Sequence, residues 1–341
     1  MLIALTIGAL LSVWAAVCLG VVPIAPADVF RILVDEVFHM DIGDIASRIP
    51  PYYNDIIWEL RLPRTLMAVI AGAGLALSGA VMQASVQNPL AEPYILGVSA
   101  GAATGATFAI LIGNAQLASG LGTAFWAFAG ALAAAALVMT LSGTGGQMST
   151  VKIVLAGTVA NALFLGLTNL MIYMSGNADG IRTVTFWTMG SLAAAKWDNL
   201  ALPAIGIILG SFYYLLQPRI LNALLLGMEA AVTLGVDLNK VRRNNMVITS
   251  LMTAMIVSSC GVFAFVGLII PHIVRGLIGS NHRRLVPCVI LAGALFLTWA
   301  DVLARIILKS GEMPIGVITS LTGAPFFMYI LLKHTFSFGN R

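Results

Sequence analysis

The sequence predicts an all-α, polytopic membrane protein with about ten transmembrane helices. Of the 341 residues, 59% are hydrophobic and only 9% are charged, and the mean hydropathy is +0.96, which is typical of membrane proteins. A helix needs about 20 mostly apolar residues to cross a bilayer. Such spans are predicted near 2–22, 64–84, 93–112, 123–142, 151–174, 199–217, 244–262, 264–279, 285–305 and 315–333. They are expected to form one transmembrane domain over residues 1–341.

The first span is expected to be a retained membrane helix. No basic residue precedes its apolar run, whereas a secretory signal has a shorter hydrophobic region of roughly 7–15 residues after positive charge. The segment 23–60 that follows is the longest polar one, and it is expected to be an extracytoplasmic connector with a short interfacial helix over 29–38. A solvated connector is favoured over a binding role.

The basic residues of the short loops favour an orientation with both termini in the cytoplasm, because lysine and arginine are enriched in loops on that side. The inner side then carries Lys152, Arg219, Lys240, Arg242, Arg243, Arg275, Arg283, Arg284, Lys333 and Arg341. Most acidic residues fall on the outer side in this arrangement, which agrees with the assignment.

Glycines at helical spacing predict close packing between spans. Gly97, Gly101 and Gly105 line one face of the third span, and Gly72 and Gly79 have a similar role in the second. Small residues let membrane helices approach closely, because lipid itself offers no hydrophobic drive for association. The pattern does not say whether the partner helix belongs to the same chain.

Residues 97–101 also match the pattern G-x-S-x-G, and an intramembrane serine protease with His272 or His282 is a remote alternative. In hydrolases the motif requires a strand-to-helix turn, which no segment here predicts.

The three cysteines, Cys18, Cys260 and Cys288, lie inside spans without metal-ligand spacing, and His272 has no companion histidine at such a spacing. The sequence therefore predicts no catalytic residue, no metal site and no cofactor.

Three blocks of sequence identify a family. They are RLPRTLMAVIAGAGLALSGAVMQASVQNPLAEPYILGVSAGA from residue 61, LGMEAAVTLGVDLNKVR from residue 226, and the stretch 261–331 with FVGLIIPHIVRGLIG, NHRRLVP, ADVLAR and MPIGVITSLTGAPFF. Together they resemble the FecCD-type permease subunits of type II ABC importers, which take up iron chelates, haem or vitamin B12 in bacteria. Two positions depart from the family pattern: Met228 precedes Glu229 where a second glutamate is common, and Asn281 replaces a frequent aspartate.

The resemblance implies two separate ATPase subunits on the cytoplasmic face. No lysine of this chain follows a glycine, so it lacks the phosphate-binding loop that ATP hydrolysis needs. The segment 218–243 is the expected docking element, with short helices over 221–226 and 229–234. Its coupling residues are expected to be Leu226, Gly227, Glu229, Ala230, Leu234 and Gly235. The alternative is an amphipathic helix that rests on the membrane surface.

Arg61, Arg64 and Arg305 lie where spans are expected to meet the outer surface. The resemblance implies that they receive acidic residues of an extracytoplasmic substrate-binding protein, a task that suits the planar fork of arginine. Anchoring to lipid headgroups is the alternative for all three. Arg305 has a further alternative, because Asp301 lies one helical turn away and could pair with it.

The resemblance also implies a translocation pathway between two copies of the permease, along the fifth span. The predicted pathway and gate residues are Asn88, Leu90, Ser149, Thr150, Thr158, Asn161, Thr168 and Met171. Asn88 to Pro93 and Gln147 to Thr150 are expected at the cytoplasmic mouth. Threonine and asparagine also join helices through hydrogen bonds, so a purely structural role is an equal alternative for the polar residues of the span.

The sequence thus predicts a non-catalytic permease of the bacterial cytoplasmic membrane that imports a metal chelate. An iron-siderophore or haem is expected first and cobalamin next, and nucleic acid is not expected as a partner. The alternative is a secondary transporter driven by an ion gradient, which needs ionisable residues deep in the membrane. Only Asp301 and Glu92 approach that description, and both lie near span ends.

Overall fold

The computed structural model describes residues 1–39, 50–113, 120–144, 148–308 and 311–333, without the side chains of residues 120, 121, 228–230, 331 and 333. The described chain is helical and contains no strand, which confirms the predicted all-α fold. Among the predicted residues, Gln147, Arg341, residues 40–49 of the connector and the side chains of Glu229, Ala230 and Lys333 lie outside the described part.

The main helices follow in chain order. They are α1 (Leu2–Cys18), α2 (Pro26–Phe38), α3 (Leu62–Val86), α4 (Val98–Thr107), α5 (Gly120–Gly143), α6 (Thr150–Ser175), α7 (Ala178–Thr188), α8 (Trp197–Leu215), α9 (Pro218–Leu225), α10 (Met228–Thr233), α11 (Leu238–Cys260), α12 (Val266–Ile278), α13 (His282–Ile306) and α14 (Ile315–Lys333). A four-residue α-helical segment at Pro51–Asn54 and a π-helical stretch at Asp55–Arg61 lead directly into α3. A 3₁₀ turn at Pro93–Leu96 precedes α4, and a π-helical stretch at Phe108–Ile112 extends it.

Each predicted span coincides with a helix. In the described part of the chain, five helical segments are long and apolar enough to cross a membrane: Tyr52–Val86, Gly122–Gly143, Thr150–Ser175, Trp197–Leu215 and His282–Ile306. Four shorter apolar helices accompany them: Leu2–Cys18, Val98–Ile112, Val266–Ile278 and Ile315–Ile330. The remaining span, α11, begins six residues before its predicted start at 244, because the side chain of Asp237 accepts a hydrogen bond from the Lys240 amide and caps the helix there.

The long apolar run 244–279 divides at the predicted position. α11 ends at Cys260, and Gly261 follows with φ +77°, a conformation that glycine adopts without steric cost. α12 then begins at Val266, so the five residues 261–265 lie outside helix.

Within the described residues, the structure adds α7 and the helical segment 51–61, which were not predicted, and it adjusts three other helices. α7 is short and partly polar, so it gave no span signal, although Asn177 caps it by accepting a hydrogen bond from the Gly180 amide at 3.0 Å. The predicted interfacial helix begins at Pro26, not at residue 29, because proline is favoured in the first helical turn. α9 begins at Pro218, three residues before its predicted start at 221, for the same reason. α10 begins at Met228, one residue before its predicted start.

α3 is the central helix and packs against α1, α8, α9, α11, α12 and α13. Its two predicted glycines lie at the closest contacts, Gly72 against the Gly293 carbonyl of α13 and Gly79 against the Gly267 carbonyl of α12. In the third span, Gly101 and Gly105 lie against the Gly130 and Trp126 carbonyls of α5. The glycine stripes therefore join helices of the same chain. The G-x-S-x-G match lies at the start of α4 and follows a 3₁₀ turn.

The Gly79 contact gives a first testable prediction. Gly79→Ala is expected to destabilise the permease by about 1–3 kcal/mol, because the added Cβ would overlap the Gly267 backbone and force the helices apart. Thermal unfolding of the detergent-purified chain measures the effect. Gly166→Ala is the matched control, because no atom lies within 4 Å of the position of its Cβ and alanine favours the helix. Equal unfolding temperatures for the two variants would contradict close packing at Gly79.

Candidate functional site

A cavity of about 190 Å³ at the N-terminal end of α3 brings together the three arginines that were predicted to share a surface. Its lining residues are Gly20, Val21, Val22, Ile56, Leu60, Arg61, Arg64, Arg305 and Glu312. Three guanidinium groups therefore face one carboxylate in the lining and a second, Asp301, behind it. Within this cluster of five charged side chains, one positive charge is in excess.

Arg64 and Arg305 share the buried carboxylate of Asp301. Arg64 Nε donates to Asp301 Oδ1 at 2.8 Å, and Arg305 Nε lies 3.1 Å from Asp301 Oδ2 without hydrogen-bond geometry. Arg64 also donates through Nη1 to Glu312 Oε2 at 2.7 Å. Asp301 is almost completely buried, whereas the Glu312 side chain is 42% exposed. The inner carboxylate thus fixes the two arginines, and the outer one remains accessible to a partner.

Arg61 and Arg305 also close the C-terminal end of α1, where backbone carbonyls lack helical partners. Arg61 Nη1 donates to the Val17 and Cys18 carbonyls at 3.1 and 3.0 Å, and its Nη2 donates to the Val22 carbonyl. Arg305 donates to the Ala16 and Leu19 carbonyls at 3.0 and 3.2 Å.

The three arginines that were predicted to receive acidic residues of a partner have contacts within the chain instead of lying free. Each arginine is less than a tenth exposed and already has partners within the chain. The pairing of Arg305 with Asp301, which was an alternative from the sequence, is present in the structure. Burial also argues against headgroup anchoring, because a snorkelling arginine keeps its guanidinium in the interface.

At the opposite end of α3, the coupling segment forms two short helices joined at Gly227. Leu221 and Leu224 of α9 are buried in the bundle, and Gln87 Nε2 at the end of α3 donates to the Leu224 carbonyl at 2.7 Å. Four large apolar side chains remain exposed on the other side: Leu225, Leu226, Val232 and Leu234. Gly227 and Gly235 have φ values of +95° and +80°, so they permit the two sharp turns that end the helices.

A cavity of about 420 Å³ connects the coupling segment to the predicted gate loop. Its lining includes Gln83, Gln87, Asn88, Pro89, Leu224, Leu225, Gly227, Arg275 and Ser280, with Ala84. Arg275 Nη2 donates to Gln83 Oε1 at 3.0 Å across this space. α9, the end of α3 and the loop that begins at Asn88 therefore line one cavity.

The gate residues lie close to the same helix end. The Asn88 side chain accepts a hydrogen bond from the Leu90 amide at 2.9 Å, and Leu90 packs on the apolar cluster of Leu268, Ile269 and Phe327. Ser149 caps α6 by accepting from the Lys152 amide at 3.2 Å. Thr150 Oγ1 donates to the Val86 carbonyl at 2.8 Å, which attaches the start of α6 to the end of α3.

The predicted pathway residues on α6 divide between two environments. Thr158 is exposed, and Asn161 and Met171 are half-buried. Thr168 is buried, and its hydroxyl lies 2.9 Å from that of Thr104 on α4. Thr168 therefore joins two helices of the chain, as its structural alternative stated, and it does not face the open side of α6.

Sequence reasoning missed Arg242 as a functional candidate. This arginine of α11 is buried, and it donates through Nε to the Ser85 carbonyl at 2.9 Å and through Nη1 to the Met148 carbonyl at 2.6 Å. It ties the helix that follows the coupling segment to the end of α3 and to the residue before Ser149. The sequence feature that could have identified Arg242 is a charged residue inside a segment that is otherwise predicted as helix.

His272 packs beside two aromatic rings. Its ring centroid lies 6.3 Å from that of Phe326 and 6.2 Å from that of Phe327, in the part of α12 that faces α14.

Comparisons with known proteins identify the family of this chain. The family model described as the FecCD transport family matches residues 7–333. The vitamin B12 import system permease protein BtuC of Citrobacter koseri is 42% identical over 277 residues, which cover 81% of this chain and 83% of that protein. The hemin transport system permease protein HmuU of Yersinia pestis is 37% identical over 286 residues, which cover 82% and 85%.

A solved structure supports the same relationship along nearly the whole chain. It is described as a metal-chelate type ABC transporter in an inward-facing conformation, and it superimposes with a TM-score of 0.82 at 32% identity over 98% of this chain and 99% of that one. The match confirms the resemblance that was drawn from the three sequence blocks. This multi-pass membrane protein belongs to the FecCD transport family.

Proposed function

We propose that this ABC importer permease takes up a metal chelate, with an iron-siderophore or haem as the first candidate and cobalamin as the next. Two copies form the pathway, two ATPase subunits dock on the coupling segment, and a substrate-binding protein docks at the three-arginine cavity. The permease itself catalyses no reaction. Both termini lie in the cytoplasm, and the membrane is the bacterial inner membrane.

The observation that carries this proposal is the placement of two unlike surfaces at the two ends of one helix. The 25 residues of α3 span about 37 Å at 1.5 Å per residue, which exceeds the ~30 Å hydrocarbon core. The three-arginine cavity lies at one end of α3. The exposed apolar side chains of the coupling segment (Leu225, Leu226, Val232 and Leu234) lie at the other end. A signal at either end therefore crosses the membrane through the central helix.

The open side of α6 supports a second copy as the partner that completes the pathway. Large apolar side chains on this helix are exposed, among them Leu155, Val159, Leu163 and Leu170. Thr158 and Asn169 lie on exposed positions of the same helix, and Gly166 has open space beside it. A weakly polar surface of this kind suits a bulky ligand that must pass without tight binding.

Transport in proteoliposomes tests the function. Permease, ATPase and binding protein are reconstituted, and uptake of ferric siderophore, haem and cobalamin is compared with and without internal ATP. Uptake of one chelate that requires ATP and the binding protein is expected. Uptake driven by an imposed ion gradient without ATP would favour the secondary transporter and would overturn the proposal.

Glu312 gives a sharper test of docking than the arginines do. The Glu312 carboxylate pairs with the Arg64 guanidinium at the cavity mouth. Glu312→Gln should therefore leave that positive charge of Arg64 available and tighten binding of an acidic partner surface by about 3- to 10-fold at low salt. Affinity is measured by surface plasmon resonance at two salt concentrations, since screening should reduce the gain. Glu59→Gln is the control, because Glu59 is exposed and does not line the cavity. If Glu312→Gln and Glu59→Gln bind the partner with equal affinity, the cavity is not the docking site.

A further inference from the structure

A second basic cavity lies at the coupling end of the bundle, away from the surfaces described above. Its volume is about 560 Å³, and it opens between the start of α1, the end of α12 and the start of α13. Its lining residues are Met1, Leu2, Leu277, Ile278, Arg283, Arg284, Pro287 and Cys288. Its position at the coupling end follows from α9, because the His282 amide donates to Asn222 Oδ1 at 2.8 Å and Asn222 Nδ2 donates to Asn281 Oδ1 at 3.1 Å.

The two arginines of this cavity are uncompensated. Both side chains are exposed, and no described carboxylate lies within 4.0 Å of either guanidinium group. Arg64 and Arg305 differ, because they pair with acids, and Arg61 and Arg242 donate to backbone carbonyls. Adjacent like charges repel, so Arg283 and Arg284 favour a ligand that carries negative charge.

Apart from the α-amino group of Met1, which lies near Cys288, the rest of the cavity wall is apolar. Leu277 is 68% exposed, and Leu2, Ile278, Pro287 and Cys288 complete a wall without a further charged side chain. On α1 the exposed residues Ile3, Ile7 and Leu10 follow at helical spacing and extend an apolar face from the cavity end into the bilayer. A ligand that fits both parts has an anionic head and a long apolar tail.

We propose that this cavity binds an anionic glycerophospholipid of the bilayer leaflet at the coupling end. The guanidinium groups of Arg283 and Arg284 contact the phosphate, for which the arginine fork is suited. An acyl chain follows the exposed face of α1. Basic pockets between membrane helices bind anionic headgroups in this way. A zwitterionic lipid binds more weakly, because its own ammonium group compensates the phosphate, and a soluble phosphate leaves the apolar wall unused.

Native mass spectrometry of the full chain in detergent tests the proposal. Phosphatidylglycerol and phosphatidylcholine with the same acyl chains are titrated separately, and glycerol phosphate is a third probe without a tail. The expected result is one retained phosphatidylglycerol per chain, with weaker retention of phosphatidylcholine and none of glycerol phosphate. In Arg283→Gln/Arg284→Gln, phosphatidylglycerol affinity should fall by about 10- to 30-fold.

Two further variants keep the test decisive. Arg283→Lys/Arg284→Lys preserves the charge and should recover most of the affinity, which separates charge from a folding defect. Arg182→Gln removes an exposed arginine that lies over the Phe186 ring outside this cavity and should leave phosphatidylglycerol binding unchanged. Equal retention of the two lipids by the wild type, or unchanged phosphatidylglycerol affinity in the double glutamine variant, would overturn the proposal.

Discussion

Leu226→Asp/Leu234→Asp is expected to abolish the complex between the permease and its ATPase subunits. Both leucines are more than 60% exposed in the isolated chain, so the substitutions leave the permease core intact. Burial of one leucine stabilises a contact by about 1.5–3 kcal/mol, and a carboxylate in an apolar cleft adds a desolvation cost. Loss of two leucines therefore weakens the complex by at least about 10²-fold, and the desolvation of two carboxylates weakens it further. Co-purification with tagged ATPase measures the effect.

Leu308→Asp is the matched control for this experiment. Leu308 is also an exposed leucine, but it follows α13 at the opposite end of the bundle. It should leave ATPase binding unchanged, and all variants should elute as the wild type does in gel filtration. If the complex survives the double substitution, α9 and α10 do not dock the ATPase. They would then be an amphipathic element that rests on the membrane surface, as the alternative states.

The spans were predictable because their signal is local. About 20 apolar residues in succession dictate a helix in lipid regardless of what packs beside it. The boundaries of the coupling segment were nearly predictable for a similar reason, since Pro218, Gly227 and Gly235 act through their own backbone preferences. Amphipathic α7 was missed because a short, partly polar helix gives no such signal, although Asn177 marked its start.

The environment of each site residue was less predictable, because its partners lie far away in sequence. Arg64 and its partner Asp301 are 237 residues apart, and Arg242 reaches a carbonyl 157 residues away. The sequence indicated that the arginines belong to one surface, but their burial depends on how α1 and α13 meet around α3. Thr168 shows the same limit, because the side of α6 that faces α4 follows from packing and its polar character suits either side.

Asp301→Asn is expected to destabilise the permease by about 3–5 kcal/mol. This carboxylate is 1% exposed and is the buried counter-charge for both Arg64 and Arg305. Asparagine keeps the shape and one hydrogen-bond acceptor, but it leaves two buried guanidinium groups with only Glu312 and backbone carbonyls as partners. Thermal unfolding of the purified chain, followed by a thiol-reactive dye that reports exposure of the cysteines, measures the loss.

Asp28→Asn is the control for the loss of an ion pair. The Asp28–Arg31 pair lies 3.2 Å apart on α2 with about a third of each side chain exposed, so its loss should change stability by less than about 1 kcal/mol. Adding Arg305→Met to Asp301→Asn should restore part of the stability, because it removes one of the two uncompensated charges. An unfolding temperature for Asp301→Asn equal to that of the wild type would mean that Glu312 and the carbonyls of α1 suffice for these arginines. The excess positive charge of the cavity would then be larger, and docking of an acidic partner should tighten in this variant as it does in Glu312→Gln.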